Sequence, residues 1–240
     1  MTGNTNTLII TRPEGKATED INCAGIETVN VPVTRLEDLP FDVKAFRSFD
    51  PEVVIVTSAR GAETIRANIG SFGSGRTYVS IGKITGDALK SIGLNSIVPD
   101  EQTSGGIVEL IKRNDWKPRR IALLSSQQSN MVVRDFLLKE GYDFKLFTVY
   151  RSVPLDLSNL SKYLAEGCLG MVITSSQEAE IILKDRPVAA AIRNTGTRIF
   201  AIGTTTADTV RKMGFTPAEP VGKSILNDLV CQIRERYLEK

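Results

Sequence analysis

The chain has 240 residues, of which 41% are hydrophobic and 24% charged, the ordinary range for a globular protein able to bury a sizeable core. A formal net charge of +2, with no basic block, disfavours a nucleic-acid partner. The chain contains no histidine. That single absence excludes Ser-His-Asp and Cys-His catalysis and His-ligated zinc, leaving Tyr, Lys, carboxylates, hydroxyls and backbone amides for any chemistry.

Short apolar runs alternate with amphipathic segments along the chain, the pattern of parallel sheets with helices on their faces. The strands expected in the first half are LIIT (8–11), TVNVPV (28–33), VVIVT (53–57), YVSI (78–81) and SIV (96–98). In the second half they are IALL (121–124), KLFTV (145–149), MVIT (171–174), IFAI (199–202) and a weak one near FTPAE (215–219). Helical apolar spacing falls between them, as in Val132, Phe136 and Leu137, and in Ile225, Leu229 and Ile233. Gly25, Gly93, Gly141 and Gly214 are placed to end helices. The glycine cluster SFGSGRT (71–77) precedes a strand instead of opening a helix, and neither nucleotide-binding glycine pattern follows the first strand, so it reads as a loop. Trp116, between KRND and KPRR, is expected at the junction of the halves.

The chain repeats itself. SIGKITGDALKSIG (80–93) returns as AIGTTTADTVRKMG (201–214), with Gly82 and Gly203 121 positions apart. VPVTR (31–35) matches FTVYR (147–151), 116 apart, and VVIVTS (53–58) matches GMVITS (170–175), 117 apart. Three matches in one order indicate an internal duplication, each half a five-stranded α/β unit. Two such units make a cleft, with ligands expected beyond the carboxyl ends of the strands. Those ends carry hydroxyls and glycines: TRPEG (11–15), TSARG (57–61), GKITG (82–86), SSQQS (125–129), TSSQE (174–178) and GTTTA (203–207).

Each of these hydroxyls has an ordinary explanation as a helix N-cap. Taken together, several helix N-termini offer amides and positive dipole ends suited to carboxylates or phosphates. Tyr150 ends its strand and is the best single proton donor available, although a strand-end tyrosine is often packing alone. Arg12, in ITRP, ends the first strand and offers a fork for a carboxylate, with a surface ion pair the competing use; Arg60 and Lys83 are further rim cations. Cys23, Cys168 and Cys231 lack any CxxC spacing and read as free thiols of a reducing compartment, not a metal site. The polar start MTGNTNT and the lack of an apolar run near 18 residues predict neither a secretory leader nor a membrane span, hence a cytoplasmic protein.

LIITRP, GIETVNVPV, VVIVTSARGAE, SIGKITGDALKSIG, LKEGYDFKLFTVYRSVP, MVITSSQEAE, AIGTTTADTVRKMG and the terminal GKSILNDLV, in this order, resemble the uroporphyrinogen-III synthase family. The resemblance implies two flavodoxin-like three-layer α/β/α domains with parallel five-stranded sheets, swapped so that 1–35 and 152–240 form one domain and 36–151 the other, joined by a two-stranded linker. It implies a lyase of tetrapyrrole and heme biosynthesis, which cyclises hydroxymethylbilane to uroporphyrinogen III with loss of water and inversion of the last pyrrole ring. Carried over by motif, Tyr150 is the catalytic candidate. The substrate-binding candidates are Arg12, Thr57, Ser58, Arg60, Thr85, Thr174, Ser175, Ser176 and Thr206. The implied partner is a linear tetrapyrrole polycarboxylate handed over from hydroxymethylbilane synthase. No cofactor or metal, no nucleic acid, no membrane and a monomer are expected. Two departures stand out: Arg60 replaces an Asn frequent before the Gly of the first Thr-Ser turn, and SSQQS replaces a frequent Arg-Gly pair. The competing reading is a non-catalytic cytoplasmic two-lobed binding protein for a small polyanion.

Overall fold

A computed structural model describes residues 6–15, 21–73 and 75–239. In chain order the first elements are β1 (Thr7–Ile10), β2 (Glu27–Asn30), β3 (Thr34–Asp38), α1 (Val43–Phe49), β4 (Val53–Val56) and α2 (Ala59–Ala67). They are followed by β5 (Thr77–Ser80), α3 (Lys83–Lys90), β6 (Ser96–Ile97), α4 (Ser104–Asn114), β7 (Ile121–Ser126), α5 (Val132–Lys139) and β8 (Phe144–Pro154). The last are α6 (Ser158–Glu166), β9 (Gly170–Ile173), α7 (Ser176–Lys184), α8 (Arg186–Thr195), β10 (Ile199–Ala201), α9 (Thr204–Lys212) and α10 (Leu226–Tyr237). The chain divides into two compact units, Met1–Leu36 with Val153–Lys240, and Glu37–Ser152.

The discontinuous unit is built on a four-stranded sheet in the order β10-β9-β1-β2, with every pairing parallel. Its central strand β9 is buried throughout, and alternate residues serve opposite faces. Met171 and Ile173 pack with Leu160 and Leu164 of α6, Ile182 of α7, Ile192 of α8 and Val210 of α9. Val172 packs on the other face with Leu8, Ile10 and Phe200, beneath Leu229, Val230 and Ile233 of α10. Gly170 lets Phe200 approach closely, since a methyl there would meet the Phe200 ring at 2.6 Å and the Arg198 carbonyl at 2.9 Å.

The continuous unit carries a six-stranded sheet in the order β3-β8-β7-β4-β5-β6. β4 repeats the alternation: Val54 and Val56 pack with Phe46 of α1, Ile65 of α2 and Leu89 of α3, while Val53 and Ile55 pack with Ile107 and Ile111 of α4 and Leu137 of α5. Backbone bonds from Leu155 N to Val33 O and from Leu39 N to Val149 O make β3 and β8 antiparallel neighbours. β3 and β8 are also the two strands in which the chain passes from one unit to the other.

Four and six strands correct the five and five expected from the sequence. The linker implied by the resemblance falls at the 35/36 boundary, yet the chain there forms β3, which pairs with β8 and becomes a sixth strand. FTPAE contributes only an isolated bridge between Ile199 and Pro217. A proline at that bridge has no amide to donate, so a ladder cannot extend through it. Trp116 is also corrected: it is 4% exposed inside the Val53–Ile55 core of the continuous unit, not at a junction. Val132 is exposed, and Val133 takes the buried place beside Leu137 in α5. Gly93, Gly141 and Gly214 sit at φ +83°, +70° and +78° just beyond α3, α5 and α9, the left-handed conformation that favours glycine at a helix end.

Candidate active site

In the continuous unit, β4 and β7 end at a cavity of about 210 Å³ whose lining includes Thr57, Ser104, Ser125, Ser126, Asn130 and Tyr150. β8 runs on to Pro154, so Tyr150 lies inside its strand and does not end it as the sequence suggests. Local sequence dictates each wall. Thr103 is the N-cap of α4 and accepts from Gly106 N at 3.1 Å. Gly106 is required, because a methyl there would lie 1.9 Å from the Glu101 carbonyl oxygen. Ser104, in the first turn of α4, donates to Asn130 Oδ1 at 2.8 Å across the cavity wall. The SSQQS turn closes another side: Gln127 N donates to Tyr150 O at 2.9 Å, and a register shift between Ser125 and Ser126 lies opposite β8. Tyr150 is half-buried at this wall. Arg134 brings a cation to the lining and pairs with Asp135 at 2.8 Å.

Around that edge the Thr-Ser turn behaves as two different residues. Ser58 is the N-cap of α2, accepting from Gly61 N at 3.1 Å, so its oxygen is engaged by the helix. Thr57 turns its hydroxyl to the Leu124 carbonyl at 3.1 Å, stitching β4 to β7. Arg60 pairs with Asp38 at 2.6 Å. α3 starts at Gly82, with extended backbone at φ −168° and ψ 177°, and has no side-chain cap of its own. Gln102 supplies one from outside: its Oε1 accepts from Lys83 N at 2.8 Å. Thr85, in the first turn, is 4% exposed.

The discontinuous unit presents the partner motifs. α9 starts at Gly203 with φ −167° and ψ 174°, within a few degrees of Gly82, and Thr206 is 5% exposed in its first turn. The duplicated Gly-Thr stretch is therefore duplicated in conformation. α7 starts at the N-cap Ser175, which accepts from Glu178 N at 3.1 Å, and Ser176 is its first residue. Thr174 does not copy Thr57. Its amide and hydroxyl both donate to Glu178 Oε2, at 3.1 and 2.8 Å. Thr11 Oγ1 lies 3.2 Å from the same oxygen, and Thr34 Oγ1 3.5 Å from Oε1. Glu178 is 1% exposed, and burial pushes its carboxyl up to about 7 despite the hydrogen bonds from Thr174, Thr11 and Thr34. Arg12, next in the chain, has its backbone N–H on Asn30 Oδ1 at 3.2 Å.

The predicted residues thus fall on the carboxyl edges of the two sheets: Thr57, Ser58, Arg60, Thr85 and Tyr150 on one, Arg12, Thr174, Ser175, Ser176 and Thr206 on the other. Three residues escaped the sequence reading: Ser104, Asn130 and Glu178. SSQQSN carried a turn signal for Asn130, and Ser175 followed at three residues by Glu178 has the form of a capping box. Nothing in the sequence tied Ser104 to Asn130. Among the described residues, no group of three or more acidic or cysteine side chains is placed to hold a metal ion, and no helix is long and apolar enough to cross a membrane.

A family model described as uroporphyrinogen-III synthase HemD matches residues 16–224. Comparison with curated proteins gives no match. Among solved structures, a mutant uroporphyrinogen III synthase from the extremely thermophilic bacterium Thermus thermophilus superposes with a TM-score of 0.65 at 18% identity, covering 98% of this chain and 99% of that one. Uroporphyrinogen-III synthetase from Helicobacter pylori superposes with a TM-score of 0.60 at 14% identity, covering 98% of this chain and 100% of that one.

Proposed function

The chain belongs to the uroporphyrinogen-III synthase family, and from that premise we propose how its two sheet edges carry out the family's reaction. The activity is the cyclisation of hydroxymethylbilane to uroporphyrinogen III, with loss of water and inversion of the last pyrrole ring. We read the two compact units as two flavodoxin-like domains, swapped in sequence, and the protein as a cytoplasmic monomer that takes its substrate from hydroxymethylbilane synthase.

The substrate ionises readily at its hydroxymethyl end, so the protein's task is placement more than bond breaking. A linear tetrapyrrole left alone closes at its free end and gives the type I isomer. To give type III, the chain must be held so that the already substituted carbon of the last ring is attacked. Holding a flexible reactant in one geometry lowers the barrier by several kcal/mol, by rough analogy with effective molarity. The handles are the acetate and propionate carboxylates.

Those carboxylates are met by backbone amides and hydroxyls at helix starts. Each helix N-terminus favours an anion by about 0.3–1 kcal/mol when exposed. α9 suits this best, because the glycine that begins it brings no side chain to cap the first turn; α3 begins in the same way, with Gln102 already holding its Lys83 amide. Thr85 and Thr206 form the inner wall of those turns, and Ser58, Ser175, Ser176, Thr57, Thr174, Arg12 and Arg60 flank the same two edges. Tyr150, at the wall of the hydroxyl-lined cavity, donates a proton to the departing hydroxyl.

The observation that carries the assignment is the family match across residues 16–224. The test is direct. Purified protein is mixed with hydroxymethylbilane, the product is oxidised, and type I and type III isomers are resolved by chromatography. Type III in excess of the spontaneous background is expected; binding with only type I product would leave a non-catalytic binder.

A further inference from the structure

The Thr-Ser turns of the two units share a sequence and an N-cap, yet differ at the third residue of the helix that follows. After Ser58 that residue is Gly61, where a methyl would press on Val56 Cγ1 at 2.9 Å. After Ser175 it is Glu178, whose carboxyl lies wholly inside the protein. A carboxyl so placed is costly, and a leucine or methionine of similar size would avoid the loss of hydration.

What the carboxyl does there is gather three strand ends. Thr174 closes β9 and gives its amide and hydroxyl; Thr11 closes β1 and lies 3.2 Å from Oε2; Thr34 opens β3 and lies 3.5 Å from Oε1. Thr11 and Thr34 are themselves 0% and 1% exposed, so their hydroxyls have no access to bulk water. Thr11 and Thr174 each stand one position before candidate binding residues, Arg12 and Ser175, and β3 is a strand by which the chain leaves the unit.

We propose that Glu178 is a positioning residue for the ring closure: its buried carboxyl fixes the β1 and β9 turns that carry Arg12, Ser175 and Ser176 in register with the start of β3. The proposal rests on the reading that those turns seat substrate carboxylates. The groups facing Glu178 are hydroxyls and one amide: Thr11 from β1, Thr34 from β3 and Thr174 from the β9–α7 turn. Burial raises its pKa, and the threonines, like the positive end of α7, work against that. The hydroxyls and the Thr174 amide donate to the carboxyl in either state, and more strongly once it is ionised, so the turns stay held across the titration, whereas an amide at this position keeps one acceptor oxygen with no charge to bury.

The experiment compares the wild type with Glu178→Gln and Glu178→Ala by KM, kcat, isomer ratio and thermal midpoint at pH 6 and pH 8.5. Glu178→Ala is expected to raise KM about tenfold and to lower the type III fraction, the signature of lost positioning. Glu178→Gln, which keeps an acceptor oxygen for the Thr174 amide and hydroxyl, is expected to hold both to within about threefold of the wild type. A lower midpoint with unchanged KM and isomer ratio in Glu178→Ala would make the carboxyl a brace for folding only and overturn the proposal. If Glu178→Ala does not fold, Glu178→Met, of similar size but with no oxygen to accept from the threonines, decides, and a KM and isomer ratio equal to those of the wild type overturn the proposal. Arg12→Ala and Ser176→Ala separate the layers. An unchanged KM in both refutes the reading of those turns as carboxylate seats. A raised KM in them beside an unaffected Glu178→Ala refutes the role of Glu178 alone.

Discussion

Gln128 pairs with Ser152 as a neighbouring strand would: its Nε2 donates to the Ser152 carbonyl at 3.1 Å, and its Oε1 accepts the Ser152 amide at 2.9 Å. The side chain continues the β7–β8 pairing beyond the register shift at Ser125/Ser126, two residues past Tyr150. Arg151 pairs with Glu37 of β3 at 2.9 Å. Tyr150 is thus held by a strand fastened on both edges.

Gln128→Ala should lower turnover roughly three- to tenfold, because an imprecisely held acid loses alignment. Gln128→Glu keeps the acceptor but turns a carboxylate oxygen toward the Ser152 carbonyl, so it should work better at pH 5 than at pH 8 relative to the wild type. Steady-state rates at the two pH values, with amide exchange at Ser152, check both statements.

Tyr150→Phe should slow turnover at least tenfold, a floor set below the about 100- to 10,000-fold typical of general-acid effects. The phenyl ring keeps the packing at the cavity wall, so stability should hold. An unchanged rate in single-turnover measurements removes Tyr150 from the chemistry.

Thr85→Ala and Thr206→Ala occupy matching first-turn positions in α3 and α9 and should behave as a pair. Each is expected to reduce kcat/KM about tenfold while costing roughly 1 kcal/mol of stability. Urea unfolding alongside kinetics decides, and a stability loss with unchanged kcat/KM would assign both to packing.

Glu178 makes stability depend on pH in a defined direction. Its carboxyl is raised from 4.5 to about 7 by burial, so the folded protein holds this proton after the unfolded chain has lost it. The penalty is absent below pH 4.5, grows as pH rises through the window to about 7, and is complete above it. Fully developed it is on the order of 3 kcal/mol. Denaturant titrations at pH 5 and pH 8 should show a wild-type loss across that interval that Glu178→Gln lacks.

Gly106→Ala should be among the most damaging small substitutions in the continuous unit. The added methyl meets a backbone carbonyl, which cannot swing aside as a side chain can. A loss above about 2 kcal/mol is expected, read by chemical denaturation. Gly203→Ala is the contrast, since its methyl would find Ser224 Oγ at 3.4 Å, an ordinary contact.

Much of this protein was legible one residue at a time. Runs such as VVIV and GMVI form strands because they bury both faces, and Ser58 and Ser175 cap helices because a serine at a strand exit can reach the amide three residues on. The repeated Ile-Gly-x-x-Thr announced two helix starts of the same geometry, since local backbone conformation follows from local sequence. The folded structure alone decided what each hydroxyl faces. Thr57 and Thr174 sit in the same motif, but one reaches a carbonyl of β7 and the other a carboxyl that also takes Thr11 and Thr34, 167 and 144 positions away. Sheet order makes those meetings, with β9 beside β1 in one unit and β7 beside β4 in the other. The same order turned the polar run TRLED into a sixth strand. Strand neighbours are chosen by which edge finds a partner with free amides and carbonyls, a property of the assembled sheet that no single segment contains.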